Sequence, residues 1–267
     1  MPQMLRGMIC AAAALALAAC AEGGRDQGVE ALAAASSAEE RIALAVALRA
    51  RPEEDRKDDA MRNPAAVLAF TGIEPGATVF EMEAGRGYYT ELFSALAGPD
   101  GTVVMQNPPG FDGFLGDAVA ARLADNRLPN VRLSKSAFDM LDAPDASVDV
   151  VTWFLGPHEL YFTPSDGVSL GGVEETYQDV MRILKPGGFF VVLDHAAAAG
   201  APQTTGGSLH RIDPAIIKGL VEAAGFELVA ESDALRNPDD DHMMGVFDPA
   251  VRRKTDRFLL KYQKPAG

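Results

Sequence analysis

The run Val79-Phe80-Glu81-Met82-Glu83-Ala84-Gly85-Arg86-Gly87-Tyr88-Tyr89-Thr90 decides how the chain folds. A short apolar stretch ends in an acid, Glu81. A loop holding Gly85 and Gly87 follows, and Tyr88 to Ala97 is helix-competent up to the stop at Gly98. Strand, glycine loop, helix is the nucleotide-binding turn of a doubly wound α/β domain, where glycines let the backbone approach a ligand that a Cβ would hold off. Two glycines ahead of a helix are common, so the weight of this reading comes from the segments around it.

Downstream the pattern alternates. Strands are predicted at Thr78–Met82, Thr102–Gln106, Val131–Ser134, Val148–Phe154, Phe189–Asp194, Glu227–Glu231 and Arg257–Tyr262. Helices are predicted at Tyr88–Ala97, Phe114–Asn126, Val173–Leu184 and Pro214–Ala224. Pro99-Asp100-Gly101 and Lys185-Pro186-Gly187-Gly188 read as turns. Alternation with near-continuous apolar strands argues a parallel sheet covered on both faces. No helix separates the last two strands, which an antiparallel final strand explains. Upstream, a helix is expected over Ala38 to Arg49. A charge-dense, solvated one is expected over Arg51 to Arg62, and a third over Ala65 to Thr71 with Asn63-Pro64 as its start.

The formal charge is −14, from 38 acids against 24 Lys and Arg, and no basic run interrupts it. Nucleic-acid binding through a general basic surface is therefore excluded as a working reading. The N-terminus stands apart. Met8 to Ala19 is an unbroken small and apolar run of 12 residues behind Arg6; a bilayer span needs about 20. It ends Leu17-Ala18-Ala19-Cys20, the pattern of a signal peptide and of a lipobox whose cysteine becomes the acylated terminus. Cys10 and Cys20 are the only cysteines, so the rest of the chain suits an oxidising compartment without a disulfide. The organisation expected is a signal peptide at 1–20, a tether with N-terminal helices at 21–60, and a domain at 61–264. The protein is expected to be exported and held to a bacterial membrane, on the periplasmic side, only by lipid on Cys20.

Three motifs together carry a family resemblance: Glu81-x-Glu83-x-Gly85-x-Gly87, Asp145-x-Ser147-Val148-Asp149-Val150-Val151, and Leu184-Lys185-Pro186-Gly187-Gly188-Phe189. In these the chain resembles a class I S-adenosylmethionine-dependent methyltransferase over roughly residues 61 to 264. More narrowly it resembles a group of predicted bacterial methyltransferases with exported N-termini, through His158-Glu159 and Leu209-His210-Arg211-Ile212-Asp213-Pro214. The resemblance implies a Rossmann-like seven-stranded sheet with an antiparallel last strand, S-adenosylmethionine as cofactor, and an unidentified small-molecule acceptor. It also places the cofactor at Glu81, Glu83, Gly85, Gly87, Tyr88, Gln106, Asn107 and Asp139. Here Glu83 stands where the family has its first glycine. Gln106-Asn107 stand where an acid would hold the ribose hydroxyls, and Ala137 where an acid would meet the adenine, with Asp139 displaced by two.

The residues that could do chemistry are histidines after predicted strand ends. His158-Glu159 follows the fourth strand and His195 ends the fifth, so both loops reach one rim of the sheet. His158, Glu159 and His195 are the candidates to take a proton from an oxygen or nitrogen acceptor. His210, in the long loop behind the fifth strand, shares that rim but, like His242, is assigned no catalytic role. Imidazole and carboxylate also suit zinc or iron, but no His-x-x-x-His spacing is present and no metal ligand is assigned. Trp153 reads as core, and Asp239-Asp240-Asp241 as a solvated turn. Two other readings stand beside methyl transfer: an exported binding module that keeps the fold without turnover, and a metal-dependent activity on the histidine rim.

Overall fold

The computed structural model describes residues 28, 30–163, 167 and 169–267. The predicted signal peptide and the start of the tether lie outside the described residues. The sheet has seven strands in the order β3-β2-β1-β4-β5-β7-β6. These are β1 (Thr78–Met82), β2 (Thr102–Gln106), β3 (Val131–Ser134), β4 (Val148–Phe154), β5 (Leu184–His195), β6 (Glu227–Ser232) and β7 (Arg257–Gln263). Strands β1 to β5 pair in parallel, while β7 runs antiparallel to both β5 and β6. The order reverses between β1 and β4, where an open α/β sheet presents its ligand crevice.

The central strands are apolar at consecutive positions because both faces are covered. Val79, Val103, Val150 and Val191 pack under the helix Tyr88–Ala97, while Phe80, Val104, Val151 and Val192 pack on the other face with Trp153 and Tyr177. Successive side chains of a strand point to opposite faces, so each residue of a pair fills its own layer. Trp153 is fully buried, as its reading as core requires.

Three expectations need correction. Lys185-Pro186-Gly187-Gly188, read as a turn, lies inside β5, which starts at Leu184. The helix foreseen over Phe114 to Asn126 is broken into Asp112–Leu115, Ala118–Leu123 and a 3-10 turn at Ala124–Asn126. Gly116 at φ 52° and Asp125 at φ 54° interrupt it. The charged helix Glu53–Arg62 is docked rather than solvated. Its Asp55 is buried and bonds Arg122 at 2.8 Å, Arg122 bonds Glu91 at 2.9 Å, and Glu91 holds Arg127 at 2.6 Å. Arg51, also buried, pairs with Asp59 at 2.7 Å. Charge-dense sequence reads as solvent-facing when its partners lie 30 and more residues away.

Candidate active site

β1 delivers the chain to the glycine loop through Glu83, a non-glycine residue at φ 49°. Gln106 and Asn107, at the end of β2, fasten that loop. Gln106 accepts from the Glu83 N–H at 2.8 Å and donates to the Ser136 carbonyl at 2.6 Å. Asn107 accepts from the Gly85 N–H at 2.8 Å and donates to the Gly85 carbonyl at 3.0 Å. Both amides are buried. They hold the backbone of the loop.

Three further residues assigned to the cofactor are engaged elsewhere. Glu81 is buried under the loop and accepts from the Thr90 hydroxyl at 2.5 Å, and burial pushes its carboxyl up to about 8. Tyr88 turns to the N-terminal helices, where its hydroxyl donates to Asp59 at 2.6 Å and its ring lies under Arg62. Asp139 accepts from the Gly172 N–H at 2.8 Å, at the entry to the helix Val173–Ile183. Gly85 keeps an open face, since a Cβ there would meet nothing within 4 Å.

Glu83 joins the loop to the histidine rim. Its carboxylate accepts from the Trp153 indole N–H at 3.0 Å. Burial pushes the group well above the ordinary glutamate range, and the charge of Glu159 adds to the shift. The chain then turns sharply after β4: Leu155 sits at φ 61°, and a Cβ on Gly156 would collide with both Glu83 and the Trp153 indole. Only glycine allows that approach.

A 3-10 turn, Pro157–Tyr161, follows and carries His158 and Glu159. Asp194, fully buried at the end of β5, seats this turn. It accepts from the His158 N–H at 2.9 Å, from His158 Nδ1 at 2.8 Å and from the His195 N–H at 2.7 Å. A second short helix, Thr205–Leu209, packs backbone to backbone on the turn: a Cβ on Gly206 would lie 2.5 Å from the His158 carbonyl. It ends in His210, left-handed at φ 53°, whose Nδ1 lies 3.3 Å from His158 Nε2 and 3.1 Å from Glu159 Oε1. The buried Arg211 anchors this segment through Asp240, at 2.8 and 3.1 Å. Asp240 is therefore buried in an ion pair, not part of a solvated turn.

The protonation states differ sharply across this rim. Burial opposes charge on His158, but the Asp194 and Glu159 carboxylates overcome it and hold the imidazole up at about 10. Burial likewise opposes charge on Glu159, yet hydrogen bonds from His158 and His210 bring it down to about 2. For His195, burial and then the neighbouring His158 charge push the imidazole well below its ordinary value. Its Nδ1 lies 2.7 Å from the Thr255 hydroxyl. The structure thus brings His158, Glu159 and His195 together, as the sequence predicts. It brings His210, placed on the same rim without a catalytic role, into contact with them and adds Asp194. The Gly206-Gly207 pair just before His210 was the available signal.

This strand order with a glycine turn after β1 is that of the class I S-adenosylmethionine-dependent methyltransferase fold, and the chain has that fold. No family model matches it. Among characterised sequences it is similar to ubiquinone/menaquinone biosynthesis C-methyltransferase UbiE of Ectopseudomonas mendocina, with 28% identity over 48% of this chain and 45% of that protein. It is also similar to UbiE of Stutzerimonas stutzeri, with 25% identity over 61% of this chain and 70% of that protein. In the first of these matches the chain spans less than half the length of the relative. Among solved structures, a SAM-dependent methyltransferase from Aquifex aeolicus superposes with a TM-score of 0.55 at 19% identity, covering 80% of this chain and 98% of that one.

Proposed function

We propose that this chain transfers a methyl group from S-adenosylmethionine to a small acceptor, with His195 taking the acceptor's proton. One observation carries the reading: Glu83 ties the glycine turn after β1 to Trp153 at the end of β4 and feels the charges of Glu159 and His158, and a half-buried His195, its imidazole pushed well below the ordinary value, lies 6.2 Å from the His158 ring on the same rim. The residues fit the cofactor at its methionine end. The open face of Gly85 leaves room for it, and Glu83, whose carboxyl burial pushes well above the ordinary range, stands beside that room. Bound there, the cofactor supplies an electrophilic methyl group on a sulfonium.

The chain's own residues supply position and proton transfer. We assign the His195 Nδ1 proton to the Thr255 hydroxyl, which leaves the Nε2 lone pair for the acceptor. His158 is unsuited to that task, because a group held near 10 is already protonated at neutral pH. With Asp194 it acts as a fixed positive post that orients the turn. A binding module without turnover is a second reading, favoured by the engagement of Gln106 and Asn107 with backbone. Calorimetric titration of the full chain with S-adenosylmethionine tests the first reading, with Gly85→Val as control. Saturable heat that the variant loses supports it, and no heat from the wild type overturns it. His195→Ala is then expected to slow methyl transfer by about 100-fold or more without changing that heat.

A further inference from the structure

Outside the proton-transfer role, His158, Glu159 and His210 present three unlike ligand atoms to one point. His158 Nε2, Glu159 Oε1 and His210 Nδ1 lie 3.3, 3.3 and 3.1 Å from one another. Bonds of about 2.0–2.1 Å to a tetrahedral ion set neighbouring donors about 3.3 Å apart. The triangle is therefore one face of such a coordination shell. We propose that His158, Glu159 and His210 bind a divalent transition-metal ion of the zinc type, leaving its fourth position for a water or acceptor oxygen. The proposal does not rest on the methyl-transfer reading; it requires the ion to displace the proton that His158 holds in the metal-free chain, so the imidazole becomes neutral and the positive charge at the post is the ion's.

Three features of the surroundings support it. First, Asp194 meets His158 Nδ1 at 2.8 Å, so the outer nitrogen is fixed by a carboxylate and Nε2 is aimed into the triangle. That carboxylate–histidine arrangement is the usual outer support of a metal-binding imidazole. Second, Glu159 and Asp194 bring two negative charges to a nearly buried cluster, which a dication balances. Third, access is one-sided. The side chain of His158 is 4% exposed, while those of Glu159 and His210 are 13% and 19% exposed, so the fourth position faces outward. Two histidines and one glutamate with an open position is a ligand set used by catalytic zinc.

The constellation also explains two costly local features. His210 adopts a left-handed backbone, and the Gly206-Gly207 pair lets its helix press against the turn that carries the other two ligands. Both features bring His210 to the triangle. Strain of this kind persists where the surrounding structure requires it.

The test uses the full-length protein stripped of metal by a chelator and titrated with zinc chloride. One equivalent is expected to bind, and cobalt chloride in its place is expected to give the visible bands of a four- or five-coordinate ion. Glu159→Gln and His210→Ala should weaken zinc binding at least 100-fold with unchanged far-ultraviolet circular dichroism. Asp194→Asn, which removes only the outer support, should weaken it about 10–100-fold. If that buried variant does not fold, the two ligand variants decide. His242→Ala, outside the triangle, should bind as the wild type does. Substoichiometric binding, wild-type affinity in Glu159→Gln and His210→Ala, or a thiolate band that puts cobalt on Cys10 or Cys20 overturns the proposal.

Discussion

Replacing Glu81 by Gln should make the fold much less sensitive to alkaline pH. Glu81 is buried beneath the glycine loop, and its carboxyl stands at about 8 instead of the ordinary 4.5 because burial disfavours its charge. Between those two values the folded chain holds a proton that the unfolded chain has released. Stability is therefore complete below pH 4.5 and falls as pH rises toward 8, by about 1.4 kcal/mol per pH unit. From pH 5 to pH 8 this one group removes about 3–4 kcal/mol, a large share of an ordinary domain's stability. Gln cannot ionise, and its carbonyl can still accept from the Thr90 hydroxyl. His158, raised to about 10, has a slope of the same sign above pH 6.5, but it is common to both proteins. Urea unfolding of wild type and Glu81→Gln at pH 5 and pH 8 gives the comparison. The wild type should lose about 3–4 kcal/mol more than the variant. Equal losses would show that Glu81 is ionised inside the fold, and the reasoning from burial would fail.

Three other outcomes can be checked directly. Gly206→Ala puts a Cβ 2.5 Å from the His158 carbonyl, so it should destabilise the fold by more than about 1 kcal/mol in chemical denaturation, although alanine favours a helix over glycine by 0.5–1 kcal/mol. Arg211→Met leaves Asp240 buried without its cation and should cost about 3–5 kcal/mol in chemical denaturation; a variant as stable as the wild type would refute this. Mass spectrometry of the native protein should find Cys20 as an acylated N-terminus, and an intact Met1 in a soluble fraction would contradict the export reading.

The sheet was legible because its signals are local and periodic. Val79, Phe80, Val150 and Val151 are apolar in pairs because two layers need filling, and that pattern survives any choice of loops. Gly98 and Gly225 marked helix ends within a residue or two for similarly local reasons. The rim was only half legible. His158 and His195 sit at strand ends and could be placed by topology. His210 could be placed only in the loop behind β5; its contact with them runs through two short helical pieces, Pro157–Tyr161 and Thr205–Leu209, too short for any periodicity to register. Their positions depend on close approaches at Gly156 and Gly206, contacts between residues far apart in the chain. The internal partners of Glu81, Tyr88, Gln106 and Asn107 were illegible for a related reason: these residue types suit a ligand, and the groups that each one bonds are brought to it only by the tertiary fold.

The Asn107 clamp on Gly85 has a consequence for what this position can be. A primary amide carries the same donor and acceptor as a peptide unit, so Asn107 extends the β2 edge by one extra rung, built from a side chain, onto the glycine loop. The loop is thus ordered by the chain itself, before anything binds. An aspartate, able to grip a ribose, would replace the donor that meets the Gly85 carbonyl with a second acceptor, and two oxygens would face each other. One side chain cannot make both bonds to Gly85 and also present a carboxylate to a sugar, so the amide at 107 commits the end of β2 to holding its own loop.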